Sequence, residues 1–137
     1  MDRALFSFDG FQVRRAVINF ENLPTNPDFY ITFSASGKFN SESNVFEVRF
    51  GFSSRLTIDK EREIISVDSI AKFTFSTPMQ LENIPDYFYS NSIAILFPYM
   101  RAFISTISLQ ANVSPLILPT LNMTKLGETL KENSFQE

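Results

Sequence analysis

Residues Ser92–Asn122 read SIAILFPYMRAFISTISLQANVSPLILPTLN, and the rest of the chain has to be arranged around them. Ile93, Leu96, Phe97, Met100, Phe103, Ile104 and Ile107 recur at the i, i+3, i+4, i+7 spacing that lines one stripe of a helix. Arg101 is the only charged residue between Asp86 and Lys125. A surface helix of a monomer carries many more charges on its far face. This helix is therefore expected to be covered on more than one side, by a sheet and by a second subunit. The stripe's need for a second cover assigns Phe97, Met100, Phe103, Ile104 and Ile107 to an oligomer interface. Pro98 predicts a kink or break near Ala94–Ile95, because proline removes a ladder donor and crowds the preceding turn. The helix is expected to stop near Asn112, since Ser114-Pro115 and Leu118-Pro119 force extended backbone. Asn122 then caps a second short helix running to about Lys131, with Leu126 and Leu130 on one face.

Upstream of the helix the period changes from 3.6 to 2. In Val45–Ile58 the residues Phe46, Val48, Phe50, Phe52, Leu56 and Ile58 alternate with Glu47, Arg49, Gly51, Ser53, Arg55 and Thr57. That pattern predicts an antiparallel strand with one buried and one wetter face. Asp59-Lys60-Glu61-Arg62 reads as a charged turn. Ile65, Val67, Ser69, Ala71, Phe73 and Phe75 repeat the alternation in the next strand. Two earlier strands are expected. In Phe11–Phe20 one face holds Phe11, Val13 and Val17, and the other Ala16, Ile18 and Phe20. In Phe29–Ala35 the residues Phe29, Ile31, Phe33 and Ala35 alternate with Tyr30, Thr32 and Ser34. Asn22–Asp28 and Ser36–Asn44 have turn chemistry. The predicted fold class is α+β: a four-stranded antiparallel sheet, then a long kinked helix and a short C-terminal helix, with the helices on one face of the sheet.

Composition narrows the chemistry. The 137 residues fit one domain spanning 1–137, with residues 1–10 and 132–137 expected to be loose ends. With no cysteine there is no disulfide framework and no thiolate chemistry. With no histidine, the commonest general base and metal ligand are both missing. The four glycines form no phosphate-binding loop, and no dense acidic cluster offers a metal a first shell, so neither cofactor nor metal is expected. Glu21 and Asp28 lack a second acid at a sensible spacing for paired-carboxylate catalysis. Ser105 and Thr106 lack a base, and read as small residues allowing close helix approach. An enzyme is not expected. The net charge of −3 argues against nucleic acid. No apolar run reaches the ~20 residues of a membrane-spanning helix, and the start MDRALFSFDG does not read as a signal peptide. A cytoplasmic location is expected.

The chain has 16 Phe and 4 Tyr but no Trp. This is more ring surface than one small core hides, and the surplus is expected to line an interface or a groove. Rings fall outside the regular alternation at Phe29-Tyr30 and at Tyr87-Phe88-Tyr89. Phe29, Tyr30, Tyr87 and Phe88 are therefore candidates for the lining of a site for extended apolar peptide. Such a site works by burial, with edge-strand backbone adding register.

At Ile95-Leu-Phe-Pro-Tyr99, then Arg101, Ile104, Leu116, Leu118 and Asn122, the chain resembles the SecB export-chaperone family, whose helix carries ILFPYxRxxI followed by a Pro/Leu-rich connector ending in Asn. Phe11-Gln12-Val13 is similar to the family's first strand. The resemblance implies a homotetramer, a dimer of dimers, with the long helices sandwiched between subunits and the sheets facing outward. It implies an ATP-independent holdase for unfolded or precursor polypeptides. The peptide grooves would lie between the loop after the first strand, here Glu21–Phe29, and the sheet, which by position makes Phe29, Tyr30, Phe50 and Phe52 the implied peptide-binding lining. Export-dedicated members dock the motor SecA on an acidic sheet patch. Here Ser66 stands where the family often has Glu, and Gln110-Ala111 where it has Arg-Gly. Protein export with SecA and service to an antitoxin of a toxin–antitoxin system both stay open as partnerships. So does an oligomeric scaffold or small-ligand binder without client activity.

Overall fold

Alternation along the strands and the 3.6-residue period of the long helix meet on one face of a sheet in the computed structural model, which describes residues 5–114, 116 and 118–137. The elements are β1 (Phe6–Ile18), β2 (Phe29–Asn40), β3 (Val45–Leu56), β4 (Asp59–Phe75), a 3-10 turn at Leu81–Asn83, α1 (Asp86–Gln110), α2 (Met123–Glu132) and β5 (Ser134–Gln136). The sheet order is β1-β4-β3-β2-β5. The four long strands pair antiparallel, and β5 joins β2 in parallel. The α+β class and the order of strands then helices are as the sequence predicts, with a fifth strand added at the edge.

Phe46, Val48, Phe50, Phe52 and Leu56 of β3 and Ile65, Val67, Ala71, Phe73 and Phe75 of β4 are buried on the face that α1 covers. From α1, Phe88, Ile93, Leu96, Phe97, Met100 and Ile104 complete the core. The Phe88 ring stands 5.0 Å from Phe6, 4.8 Å from Phe46, 5.5 Å from Phe73 and 5.0 Å from Phe75, and so ties three strands to the helix. Contacts of this kind add about 0.5–1.5 kcal/mol each beyond area burial.

The first strand departs from the expected phase. Its register against β4 shifts between Phe8 and Gly10 and again between Val13 and Arg15, making Asp9 and Arg14 the extra residues of two bulges. Phe6, Phe8, Phe11, Val13, Ala16 and Ile18 consequently lie opposite Phe75, Phe73, Ala71, Ser69, Val67 and Ile65, all on the helix-covered face. Val17, expected beside Phe11 and Val13, pairs with Ser66 on the other face. A one-residue insertion reverses every later side chain, and simple alternation cannot register it.

Other boundaries move for local reasons. β1 begins at Phe6, so residues 6–10 are not a loose end. β2 continues to Asn40, and the expected long turn shrinks to residues 41–44, where Asn44 takes a φ of 63°. The β3–β4 turn is Thr57-Ile58, leaving Ile58 80 % exposed, while Asp59–Arg62 belong to β4. Helix α1 runs unbroken through Pro98. Ala94 and Pro98 are both exposed, so water can take the carbonyl that proline leaves without a donor. The helix closes at Gln110, with Asn112 at a φ of 60°. Contrary to expectation, α1 is long and apolar enough by length and composition to cross a membrane. The same apolarity supplies the cover of the sheet. The extended backbone expected at Ser114-Pro115 falls in part on Pro115, outside the described residues. Asn122 caps α2 as predicted, accepting from the Lys125 N–H at 3.0 Å.

The expected tail is the strand β5. Gly37 makes room for it: a Cβ there would lie 2.4 Å from the Phe46 ring and 2.5 Å from Ser134 Oγ. Helix α2 docks on α1 just as closely at Gly127, where a Cβ would meet Ser90 N at 2.8 Å and Ser90 Cα at 2.9 Å. Overpacking against backbone costs toward the upper end of about 1–3 kcal/mol, more than the roughly 1 kcal/mol alanine gains over glycine in a helix. Gly127→Ala is expected to lower the urea midpoint. An unchanged midpoint would show that α2 does not sit against Ser90.

Candidate functional site: an apolar cleft under the crossover loop

Because β1 and β2 lie toward opposite sides of the sheet, residues 19–28 must cross the ends of β4 and β3 to join them. Backbone and side chains pin this loop. The Asn19 N–H donates to the Ile64 carbonyl at 2.8 Å, and the Thr57 N–H to the Asp28 carbonyl at 3.0 Å. The Arg62 guanidinium donates to the carbonyls of Glu21 and Asn22. Asn22 and Asn26 take φ values of 49° and 51°, a left-handed conformation that asparagine tolerates better than most residues.

Beneath the loop is a cleft of about 780 Å³. Phe20, Leu23 and Pro24 form its roof, and Phe29 and Ile31 of β2 one wall. Ile64 and Ile65 of β4 lie opposite, with Ser108 at the end of α1 and Val113 and Leu116 just beyond it. Asp28 is the only charged residue among the described lining. The lining fits apolar side chains rather than a polar small molecule. No group of three or more Asp, Glu, His or Cys that could hold a metal occurs among the described residues.

Of the predicted peptide-binding residues, the structure brings only Phe29 to this cleft. Tyr30 points to the opposite face of the sheet, 47 % exposed, with Lys60 Nζ 4.8 Å from its ring centre. Phe50 and Phe52 are buried under α1, where they hold the core and cannot meet a ligand. Tyr87 is exposed at the distant start of α1, and Phe88 is fully buried. Its neighbour Tyr89 has its pKa raised by burial and, secondarily, by Asp86. Leu23 and Ile31 were missed. Leu23 could have been found as the only apolar residue other than proline in Asn22–Asp28. Ile31 alternates with Phe29 and so shares its wall.

Of the expected interface residues, three are taken by the chain's own sheet. Phe97, Met100 and Ile104 are buried against the sheet of their own chain, and Phe103 and Ile107 are half-buried. The stripe with helical spacing is the one that a sheet selects first. What α1 leaves exposed is the other side, with Ala94, Pro98, Ala102, Thr106 and Leu109, while Tyr99 is half-exposed on the flank where its ring stacks on Phe11 of β1.

No family model matches the chain. A mycobacterial structure matches the architecture just described: the Mycobacterium tuberculosis Rv1957 SecB-like chaperone, in complex with a ChAD peptide from the Rv1956 HigA1 antitoxin, superposes with a TM-score of 0.68 over 85 % of this chain and 88 % of that one, at 16 % identity. The chain has the SecB-like fold. Sequence similarity also reaches the uncharacterized protein MJ0357 of Methanocaldococcus jannaschii, 49 % identical over 51 residues. That match spans 34 % of this chain and only 33 % of the relative's length. A protein of unknown function from Streptococcus agalactiae aligns at a TM-score of 0.42 and 12 % identity, over 87 % of this chain and all of that one. In this SecB-like chain the crossover loop and its cleft occupy the place where the resemblance puts a peptide groove.

Arg62 fixes the roof of that cleft. Arg62→Met keeps the stem and removes the donors, a loss of about 1 kcal/mol to the local loop. Amide exchange of residues 20–24 should quicken severalfold while that of β3 and α1 stays unchanged. Unchanged exchange at 20–24 would mean that the loop is held elsewhere.

Proposed function

We propose that this chain is an ATP-independent holdase, not an enzyme, that receives apolar stretches of unfolded polypeptide in the cleft beneath residues 19–28. The observation that carries this reading is an open apolar cleft with a single charged lining residue on a SecB-like scaffold. Burial supplies the affinity at about 25 cal/mol per Å² of apolar surface. No nucleotide is needed, because binding alone lowers the free concentration of aggregation-prone chains by mass action. The structural likeness to a SecB-like chaperone holding an antitoxin peptide supports the same role.

Self-association belongs to this reading. Leu109 is 61 % exposed on the outer side of α1, Tyr99 is 48 % exposed at its flank against β1, and Ile18 is 46 % exposed on the helix-covered face of β1. A second copy covering this side would account for a helix that is apolar nearly all round. A dimer of dimers would place several clefts on one particle and raise the net affinity through effective concentration.

Between the two partnerships, the antitoxin type is favoured over export with SecA. The sheet face away from the helix carries Arg15, Arg49, Arg55 and Lys72 beside Glu47 and Asp68. That mixture is unlike the acidic patch that docks SecA in export members. Either partnership operates in the cytoplasm. The runner-up, an oligomeric scaffold without clients, predicts a sealed cleft and no binding of an apolar dye by the native protein.

Leu23→Ser with Phe29→Ser should abolish suppression of aggregation of a slow-folding client, whereas Tyr30→Ser on the opposite face should not. Equal loss in both would move the site away from the cleft. Thr106→Lys with Leu109→Lys should lower the solution mass measured by light scattering. A mass that already corresponds to a monomer in the parent protein would end the assembly reading.

A further inference from the structure

Two adjoining parts of the C-terminal region are held by different forces. Helix α2 is anchored by burial of Leu126 and Leu130. The residues after it bury no large apolar side chain. Phe135 is 58 % exposed, and Gln136 and Glu137 are exposed as well. Their hold is polar. The Gly37 N–H donates to the Asn133 carbonyl at 3.2 Å, and the Glu137 N–H to the Phe39 carbonyl at 2.8 Å. The Gln136 side chain accepts from the Leu81 N–H and donates to Gln80 Oε1, both at 2.9 Å. Asn40 donates to Glu137 Oε2 at 3.2 Å, and Lys38 Nζ lies 3.9 Å from Glu137 Oε1. Segments held by exposed hydrogen bonds, without buried apolar contact, open at lower cost than the core.

What this segment covers is apolar. A Cβ on Gly37 would meet the Phe46 ring at 2.4 Å and Ser134 Oγ at 2.5 Å, so Ser134 closes over the same spot as that ring. Gln136 stands in register with Phe39, which is fully buried. Gln136 is also a wall of a hollow of about 470 Å³ whose lining includes Leu81, Ile84 and Tyr89. Ile84 and Tyr89 are buried, and the Tyr89 ring stands 5.9 Å from Phe46. This corner adjoins the start of α1 and Gly37–Phe39 of β2, whereas the cleft adjoins Ser108 and Phe29 at their other ends.

We propose that residues 133–137 are an autoinhibitory strap. The strap opens as a unit while α2 and the core stay folded, and its opening exposes an apolar corner of Phe39, Phe46, Ile84 and Tyr89. That corner adds to the surface offered to unfolded polypeptide. The opening is a property of the fold; its use in client capture rests on the holdase reading.

The chain has no cysteine, so a single engineered disulfide can lock the strap. Lys38 and Phe135 are register partners in the β2–β5 pair. Lys38→Cys with Phe135→Cys is compared oxidised and reduced, beside the parent and a chain ending at Asn133. In the parent, the Gly37 and Leu81 amides should exchange at least tenfold faster than that of Ile93, and oxidation of the cysteine pair should remove the difference. Apolar-dye binding and suppression of client aggregation should rise severalfold on truncation and fall on oxidation. Exchange of Gly37 and Leu81 at the rate of Ile93 in the parent overturns the strap. Fast exchange with equal dye binding and equal suppression in oxidised and reduced protein overturns the autoinhibition and leaves the cleft reading standing. Absence of suppression in every form overturns the holdase reading itself.

Discussion

The packing of one apolar helix face on one face of the sheet is the constraint from which the rest follows. Phe88 shows it in small: its ring touches rings from β1, β3 and β4 at once, so the helix cannot shift without opening the center of the core. Once α1 lies there, Phe50, Phe52, Phe97, Met100 and Ile104 are committed to the interior. The chain's abundance of phenylalanine is mostly spent in this layer. What is left exposed is small and localised, at the outer side of α1 and around the end of the sheet.

The cleft is a product of topology. A sheet ordered β1-β4-β3-β2-β5 separates its first two strands, and the link between them has to bridge the sheet's end. A bridge fixed at Asn19, Arg62 and Asp28 spans the end of the sheet with the cleft beneath it. The floor stays apolar since Ile64, Ile65 and Ile31 continue the core-facing rows of their strands to the edge of α1's cover. Such a site needs no catalytic group. Its properties are area, shape and an accessible mouth.

Edges complete the picture. Bulges and arginines on β1 and a borrowed strand on β2 treat the same liability in two ways, and the treatment of β2 is incomplete beside the cleft.

Local pattern alone determined a good deal of this protein. Alternation in Val45–Phe75, helical spacing in Ile93–Ile107 and the Asn122 cap gave the α+β class and element order, because periodicity reports directly which side of an element meets the core. The family likeness was legible in the helix and its connector. Tertiary structure decided the rest. The bulge at Arg14 in β1 reversed the face of Val17, the sheet claimed most of the helix stripe expected at an interface, and Phe50 and Phe52 went inward while Leu23 and Ile31 came to the cleft. The physical reason is the same in each case. A residue's hydrophobicity says that it will be covered, but which surface covers it depends on partners distant in the chain, and only the folded arrangement brings those partners together.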